Sequence, residues 1–60
     1  MKKFEVCVMN METYTVYANT KRKAIIQAID CFRDDDEFYD TEEAENVTDK
    51  DCKIVWEEKC

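Results

Sequence analysis

The stretch TYTVYANTKRKAIIQAIDCFR, residues 13–33, decides the fold because its hydrophobic period changes partway along it. Its first six residues alternate, so that Tyr14, Val16 and Ala18 lie on one side, and their β-branched and aromatic content is typical of a strand. From Ala24 onward the apolar residues instead recur at the spacing of an amphipathic helix. A strand followed directly by a helix is therefore the first expectation.

The predicted helix covers residues 21–33, with Thr20 or Asn19 before it as the N-cap. We expect one apolar stripe of this helix to pack on the sheet, and its small side chains Ala24 and Ala28 to let helix and sheet come close together. The stripe consists of Ala24, Ile25, Ala28, Ile29 and Phe32.

Two further alternating runs complete the predicted sheet. Residues 3–9 form a strand that NMET, residues 10–13, joins to the next strand as a hairpin, and Asn10 suits the positive φ that such a turn needs in a chain without Gly. Residues 52–58 form the last strand. The side chains that we expect to face the helix from these two strands are Phe4, Val6, Val8, Cys52, Ile54 and Trp56.

These elements predict an α+β fold in one domain, with three antiparallel strands and one helix packed on one face of the sheet, in the order ββαβ. A fourth strand at residues 45–48 would give ββαββ instead. The sequence DTEE, residues 40–43, also allows a short helical turn, with Asp40 as N-cap and Glu43 completing a capping box.

The composition excludes several classes of activity, since the 60 residues contain no Gly, Pro, His, Ser or Leu. Phosphate-binding loops need Gly, because the backbone must approach the phosphate without a Cβ in the way. The usual general base, the usual hydroxyl nucleophile and the commonest zinc ligand are missing with His and Ser. We therefore expect no enzymatic activity and no cofactor.

Four cysteines are present, and none of them forms a C-x-x-C pair, so no zinc site is expected. In an oxidising compartment they could pair in three ways, but the sequence has neither a signal-peptide pattern nor an apolar run long enough for a membrane. We expect reduced thiols, a cytoplasmic location and no membrane association. The cysteines are Cys7, Cys31, Cys52 and Cys60.

Charge divides the chain into two halves of opposite sign. The first 33 residues carry six basic and three acidic side chains, and the remaining 27 carry three basic and twelve acidic ones. The predicted helix also opposes its own macrodipole, because Lys21, Arg22 and Lys23 lie at its positive end and acids follow its negative end. This arrangement predicts a dipolar molecule of net charge −6.

The acidic run after the helix has a calcium interpretation, which requires five carboxylates to occupy the ligand positions of an EF-hand loop. Phe38 and Tyr39 then occupy a ligand position and the position that demands Gly, and no second helix follows in register. We therefore expect no metal. The carboxylates that this interpretation aligns are Asp34, Asp36, Asp40, Glu42 and Glu45.

In a second interpretation the acidic run imitates the closely spaced charges of a nucleic-acid backbone and binds a protein with a basic nucleic-acid-binding surface, such as a nuclease. Its two aromatic side chains would act as anchors. Direct binding of nucleic acid is disfavoured by the pI near 4.5. The predicted partner-binding residues are Asp34, Asp35, Asp36, Glu37, Phe38, Tyr39, Asp40, Glu42 and Glu43.

Three alternatives stay open. The acidic run can be a solvated connection without a partner. The basic triplet at the start of the helix can bind an anion, pair with the acidic segment of the same or a neighbouring chain, or be solvated. The sheet face away from the helix, with Cys7, Met9, Tyr17 and Val55 beside Glu5 and Thr15, can be simply solvated or can serve a structural module that forms a homodimer.

Residues 4–32, centred on YTVYANTKRKAIIQAI, resemble the small proteins of mobile elements grouped as DpnD/PcfM-like. In that group a Met-Lys-Lys start leads into two short strands and then into a helix striped with Ala and Ile. The resemblance implies a phage, plasmid or restriction-locus setting and carries no catalytic motif. In size and charge the chain is also similar to small acidic inhibitors of CRISPR nucleases and restriction enzymes.

Overall fold

The computed structural model describes residues 1–35 and 42–59, and Glu43 only in its backbone. Three strands form one antiparallel sheet in the order β2-β1-β3, and the long helix packs on it, which confirms the α+β fold and the ββαβ order. The elements are β1 (Lys2–Val8), β2 (Glu12–Ala18), α1 (Lys21–Asp34), α2 (Glu42–Glu45), a 3-10 turn (Asp49–Asp51) and β3 (Cys52–Glu57).

The hairpin between β1 and β2 turns on two left-handed residues, Met9 with φ 54° and Asn10 with φ 56°. The Met11 N–H closes the turn by donating to the Val8 carbonyl oxygen at 3.0 Å. Asn10 confirms the prediction, but Met9 was expected to point away from the helix and instead packs against the core. Its left-handed backbone redirects the chain there, and its N–H donates to the Asp51 carbonyl oxygen at 2.6 Å.

Helix α1 begins as predicted, because the Thr20 hydroxyl oxygen accepts a hydrogen bond from the Lys23 N–H at 3.2 Å. The helix ends one residue later than expected, at Asp34. Its stripe packs on one face of the sheet, with Ile25 only half-buried at the margin. The buried core consists of Phe4, Val6, Val8, Val16, Ala18, Ala24, Ala28, Ile29, Phe32, Ala44 and Val47.

A bulge in β3 changes which of its side chains face the helix. Ile54 lies opposite Val6, but Trp56 lies opposite Glu5, so β3 has one extra residue, Val55, between these pairs. Successive side chains of a strand point to opposite faces of the sheet, and an extra residue reverses the faces for every side chain beyond it. Trp56 therefore lies on the face away from the helix, 46% exposed, and the prediction that it faces the helix is wrong.

Residues 45–48 do not form a fourth strand. They complete the single turn of α2, bury Val47 against the core and lead into the 3-10 turn. The Asp51 carboxylate accepts from the Thr48 N–H at 2.8 Å and from its hydroxyl at 3.2 Å, which closes that turn. The helical turn at Glu42–Glu45 agrees with the alternative from DTEE, whose cap Asp40 lies outside the described residues.

Candidate functional site

Exposed carboxylates gather where the C-terminal end of α1 meets α2 and the 3-10 turn. Helix α1 contacts both of these elements, and Ala44 and Val47 hold the connecting chain in place because both are buried. The Arg33 guanidinium adds a further link by donating to the Val47 carbonyl oxygen at 3.2 Å. We call this region the acidic end, and its described members are Asp30, Asp34, Glu42, Glu45, Asp49 and Asp51.

The charge of the acidic end is poorly balanced. Within residues 1–35 and 42–59, the ion pairs join Glu57 to Lys2 at 3.8 Å and to Lys21 at 3.6 Å, at the other end of the molecule. Arg33 is the one basic residue in the last turn of α1, where Asp34 lies at the negative end of the helix macrodipole. A basic partner would relieve this mismatch.

Asp35 differs from its neighbours because it is half-buried. The Tyr14 hydroxyl donates to its Oδ2 at 3.1 Å, and the Tyr14 ring meets Phe32 edge to face at 6.5 Å between centroids. Burial, and then the hydrogen bond to Asp35, raise the pKa of Tyr14 well above its ordinary value, so the phenol remains a donor at neutral pH. Asp35 therefore fastens the end of the helix to β2.

The structure places the predicted partner-binding residues in different surroundings. Asp34 and Glu42 are exposed members of the acidic end, whereas Asp35 is engaged with Tyr14. The sequence interpretation missed Asp30, which lies one helical turn before Asp34 and could have been found from that spacing. It also missed Glu45, Asp49 and Asp51 as partner-binding residues, which lie near the end of α1 only because α2 and the 3-10 turn pack against this helix. The remaining predicted residues, Asp36, Glu37, Phe38, Tyr39, Asp40 and the Glu43 side chain, lie outside the described residues.

An apolar groove of about 600 Å³ borders the acidic end, between α1 and residues 47–50. Ile26, Ile29 and Val47 line it, and Ile26 is 45% exposed although it lies in the middle of a helix. Asp30 and Asp49 lie at its margin together with the basic residues Arg33 and Lys50. The groove could take an apolar side chain of a partner that contacts the acidic end.

The basic triplet at the start of α1 is exposed, and no acid lies in the first helical turn. One of its three charges, that of Lys21, is already paired with Glu57, which the bulge places on the helix side of β3 opposite Phe4. Within the described residues, the partner of Lys21 is therefore an acid of β3 and does not belong to the acidic segment that the sequence alternative named.

The face of the sheet away from the helix carries two exposed aromatic rings. Tyr17 on β2 lies opposite Lys3 on β1 and is 55% exposed. The Lys3 Nζ lies 5.8 Å from the centre of the Trp56 ring, within reach of a cation–π interaction. We call this surface the open face, and it comprises Lys3, Glu5, Cys7, Thr13, Thr15, Tyr17, Lys53 and Trp56.

The described cysteines are Cys7, Cys31 and Cys52, and none of them forms a disulfide. Cys7 and Cys52 lie on neighbouring strands but on opposite faces of the sheet, so a disulfide between them would require the backbone to move. Burial, and then Asp49 and Asp51, raise the pKa of the Cys52 thiol, which disfavours its reactive thiolate.

The described part of the chain contains no cluster of three or more Cys, Asp or Glu side chains placed to hold a metal ion. None of its helices combines the length and apolar character needed to cross a membrane.

Searches of protein-family models, of curated proteins and of solved structures return no match to the chain.

Proposed function

We propose that this chain is a non-enzymatic interaction protein that binds the basic nucleic-acid-binding surface of another protein through its acidic end. By occupying that surface it would inhibit a nuclease or a similar protein of host defence. The observation that carries the proposal is the group of exposed carboxylates where α1, α2 and the 3-10 turn meet, none of which forms an ion pair within the described residues. Opposite charge speeds association and confers specificity when it faces a complementary surface.

The acidic end has a feature that a merely solvated surface does not need. The groove beside it offers exposed Ile26 to a partner, and its floor is formed by the buried side chains of Ile29 and Val47. Interfaces combine charged margins with a few apolar anchors, which supply most of the binding energy. Electrostatic attraction and apolar burial could therefore act together on one partner.

The setting that we propose is the cytoplasm of a host cell that carries a mobile element. The resemblance of residues 4–32 to DpnD/PcfM-like proteins supports a phage or plasmid origin. The size and acidity of the chain support a role like that of small inhibitors of CRISPR or restriction nucleases. DNA cleavage by a panel of purified restriction endonucleases and RNA-guided nucleases, with increasing amounts of this protein, would identify the target.

The variant Asp34→Asn with Glu42→Gln tests the acidic end on the nuclease that the protein inhibits. It removes two exposed negative charges there, and we expect inhibition to weaken at least tenfold at low salt. The control is Glu57→Gln with Glu58→Gln, which makes the same change in net charge at the other end of the molecule, where Glu57 pairs with Lys2 and Lys21. If the two variants lose inhibition equally, net charge alone acts and the acidic end is not the binding surface.

A further inference from the structure

The position of Trp56 is the starting point, because it is the single Trp of the chain. A domain of 60 residues has little apolar material for its core, and burying the largest side chain would help it most. The bulge at Val55 instead turns this ring out onto the open face, where it is 46% exposed. Bulges often re-aim a side chain for a purpose, and Trp is enriched in protein interfaces.

The neighbours of Trp56 make a patch of mixed character at the same end of the open face. Tyr17 and Lys3 face each other across β2 and β1, and Glu5 and Trp56 face each other across β1 and β3. Lys3 reaches over the Trp56 ring at 5.8 Å. Two aromatic rings therefore flank a central strand that carries one positive and one negative charge, two residues apart.

This pattern is complementary to itself. If a second copy lays its β1 antiparallel over this one, centred on Phe4, then Lys3 of each copy lies over Glu5 of the other. A two-fold interface requires such self-complementarity, because the same patch is used on both sides. We propose that the open face is a homodimer interface, in which Lys3 and Glu5 pair between copies and Tyr17 and Trp56 become buried.

The net charge of −6 disfavours a nucleic-acid strand as the occupant of this face, although aromatic rings on a sheet could otherwise stack on bases. A second copy has the complementary arrangement without any further assumption. Two strands of seven residues and one of six cover only about 300 Å² per copy, well below a standard interface. We therefore expect a weak dimer, formed at tens to hundreds of micromolar.

Sedimentation velocity from about 10 μM to 1 mM tests the dimer with the whole chain. Wild-type protein should shift from monomer to dimer over this range, and the emission of its single Trp should move to shorter wavelength as the ring becomes buried. Lys3→Glu and Glu5→Lys should each weaken the dimer at least tenfold. The variant that carries both changes restores the pairing and should dimerise like wild type.

Mixing the two single variants gives the sharpest result, because Lys3→Glu and Glu5→Lys should then form a heterodimer more readily than either variant pairs with itself. Lys50→Glu, which changes an exposed charge outside the open face, is the control and should dimerise normally. Trp56→Ala should abolish the dimer, and Tyr17→Ala replaces it as the test if circular dichroism shows that Trp56→Ala does not fold. A protein that stays monomeric to 1 mM overturns the proposal. A dimer whose stability is unchanged by all of these open-face substitutions overturns it as well.

Discussion

The two faces of the sheet show how differently one chain can use the same three strands. The face toward α1 is built from apolar side chains that are almost completely buried, such as Phe4 at 1% and Val6 at 0% exposure. The open face instead carries charges, hydroxyls and two half-exposed rings, Tyr17 and Trp56. Stability resides in the first face, which leaves the second face and the acidic end available for contacts.

Replacing one aromatic ring on each face should give the largest contrast. Phe4→Ala removes a buried ring and should lower the free energy of unfolding by about 3 to 5 kcal/mol, which can unfold so small a domain. Tyr17→Ala on the open face should cost less than about 1 kcal/mol in dilute protein. Urea denaturation followed by circular dichroism measures both, and similar losses would contradict the division of roles.

The helix-facing side was predictable because its signal is local. Strands β1 and β2 and helix α1 follow from alternation and helical spacing within single stretches of sequence. The open face was only partly predictable, because the bulge that turns Trp56 outward depends on how β3 pairs with β1. Ile54, Val55 and Trp56 are three consecutive apolar residues, which interrupts the alternation but does not show which of them is the extra residue.

The acidic end was also only partly predictable from the sequence. The concentration of carboxylates after residue 33 is visible in the sequence, and so is the conflict with the helix macrodipole. The role of Asp35 was not predictable, because its partner Tyr14 lies 21 positions earlier. The meeting of Asp30 with Asp49 around one groove also depends on long-range packing.

Removing the hydrogen bond between Tyr14 and Asp35 should lower the free energy of unfolding by an intermediate amount, since this bond joins the acidic end to β2. Tyr14→Phe keeps the ring contact with Phe32 but removes the donor, and should cost about 1 kcal/mol of unfolding free energy. The matched control is Tyr17→Phe, whose hydroxyl has no hydrogen-bond partner within the described residues and should cost nothing measurable. Thermal or urea denaturation at neutral pH compares the two.

The pH dependence of that bond follows from the raised pKa of Tyr14. A folded pKa above the unfolded value of about 10 means that its stabilisation is fully present below pH 10 and is lost as pH rises further. The difference in unfolding free energy between wild type and Tyr14→Phe should therefore be constant from pH 7 to 9 and shrink above pH 10. A constant difference up to pH 12 would show that the Tyr14 phenol does not titrate in this way.

Thr20→Ala should lower the free energy of unfolding by about 1 kcal/mol or less, because it removes the hydroxyl that caps α1. The lost hydroxyl lies at the start of α1, and its removal leaves both the open face and the acidic end unchanged. The helical signal at 222 nm during thermal unfolding measures it, with Thr15→Ala on the open face as the control. An equal loss in the two variants would contradict the capping role.

The most direct measurement of the proposed function is competition between this protein and duplex DNA for the nuclease that it inhibits, repeated at several salt concentrations. We predict that excess DNA displaces the protein, and that its affinity falls steeply as salt rises. The Asp34→Asn and Glu42→Gln double variant should show a shallower dependence, since each lost ionic contact lowers the slope by about one. Binding that is insensitive to both DNA and salt would contradict a surface that imitates nucleic acid.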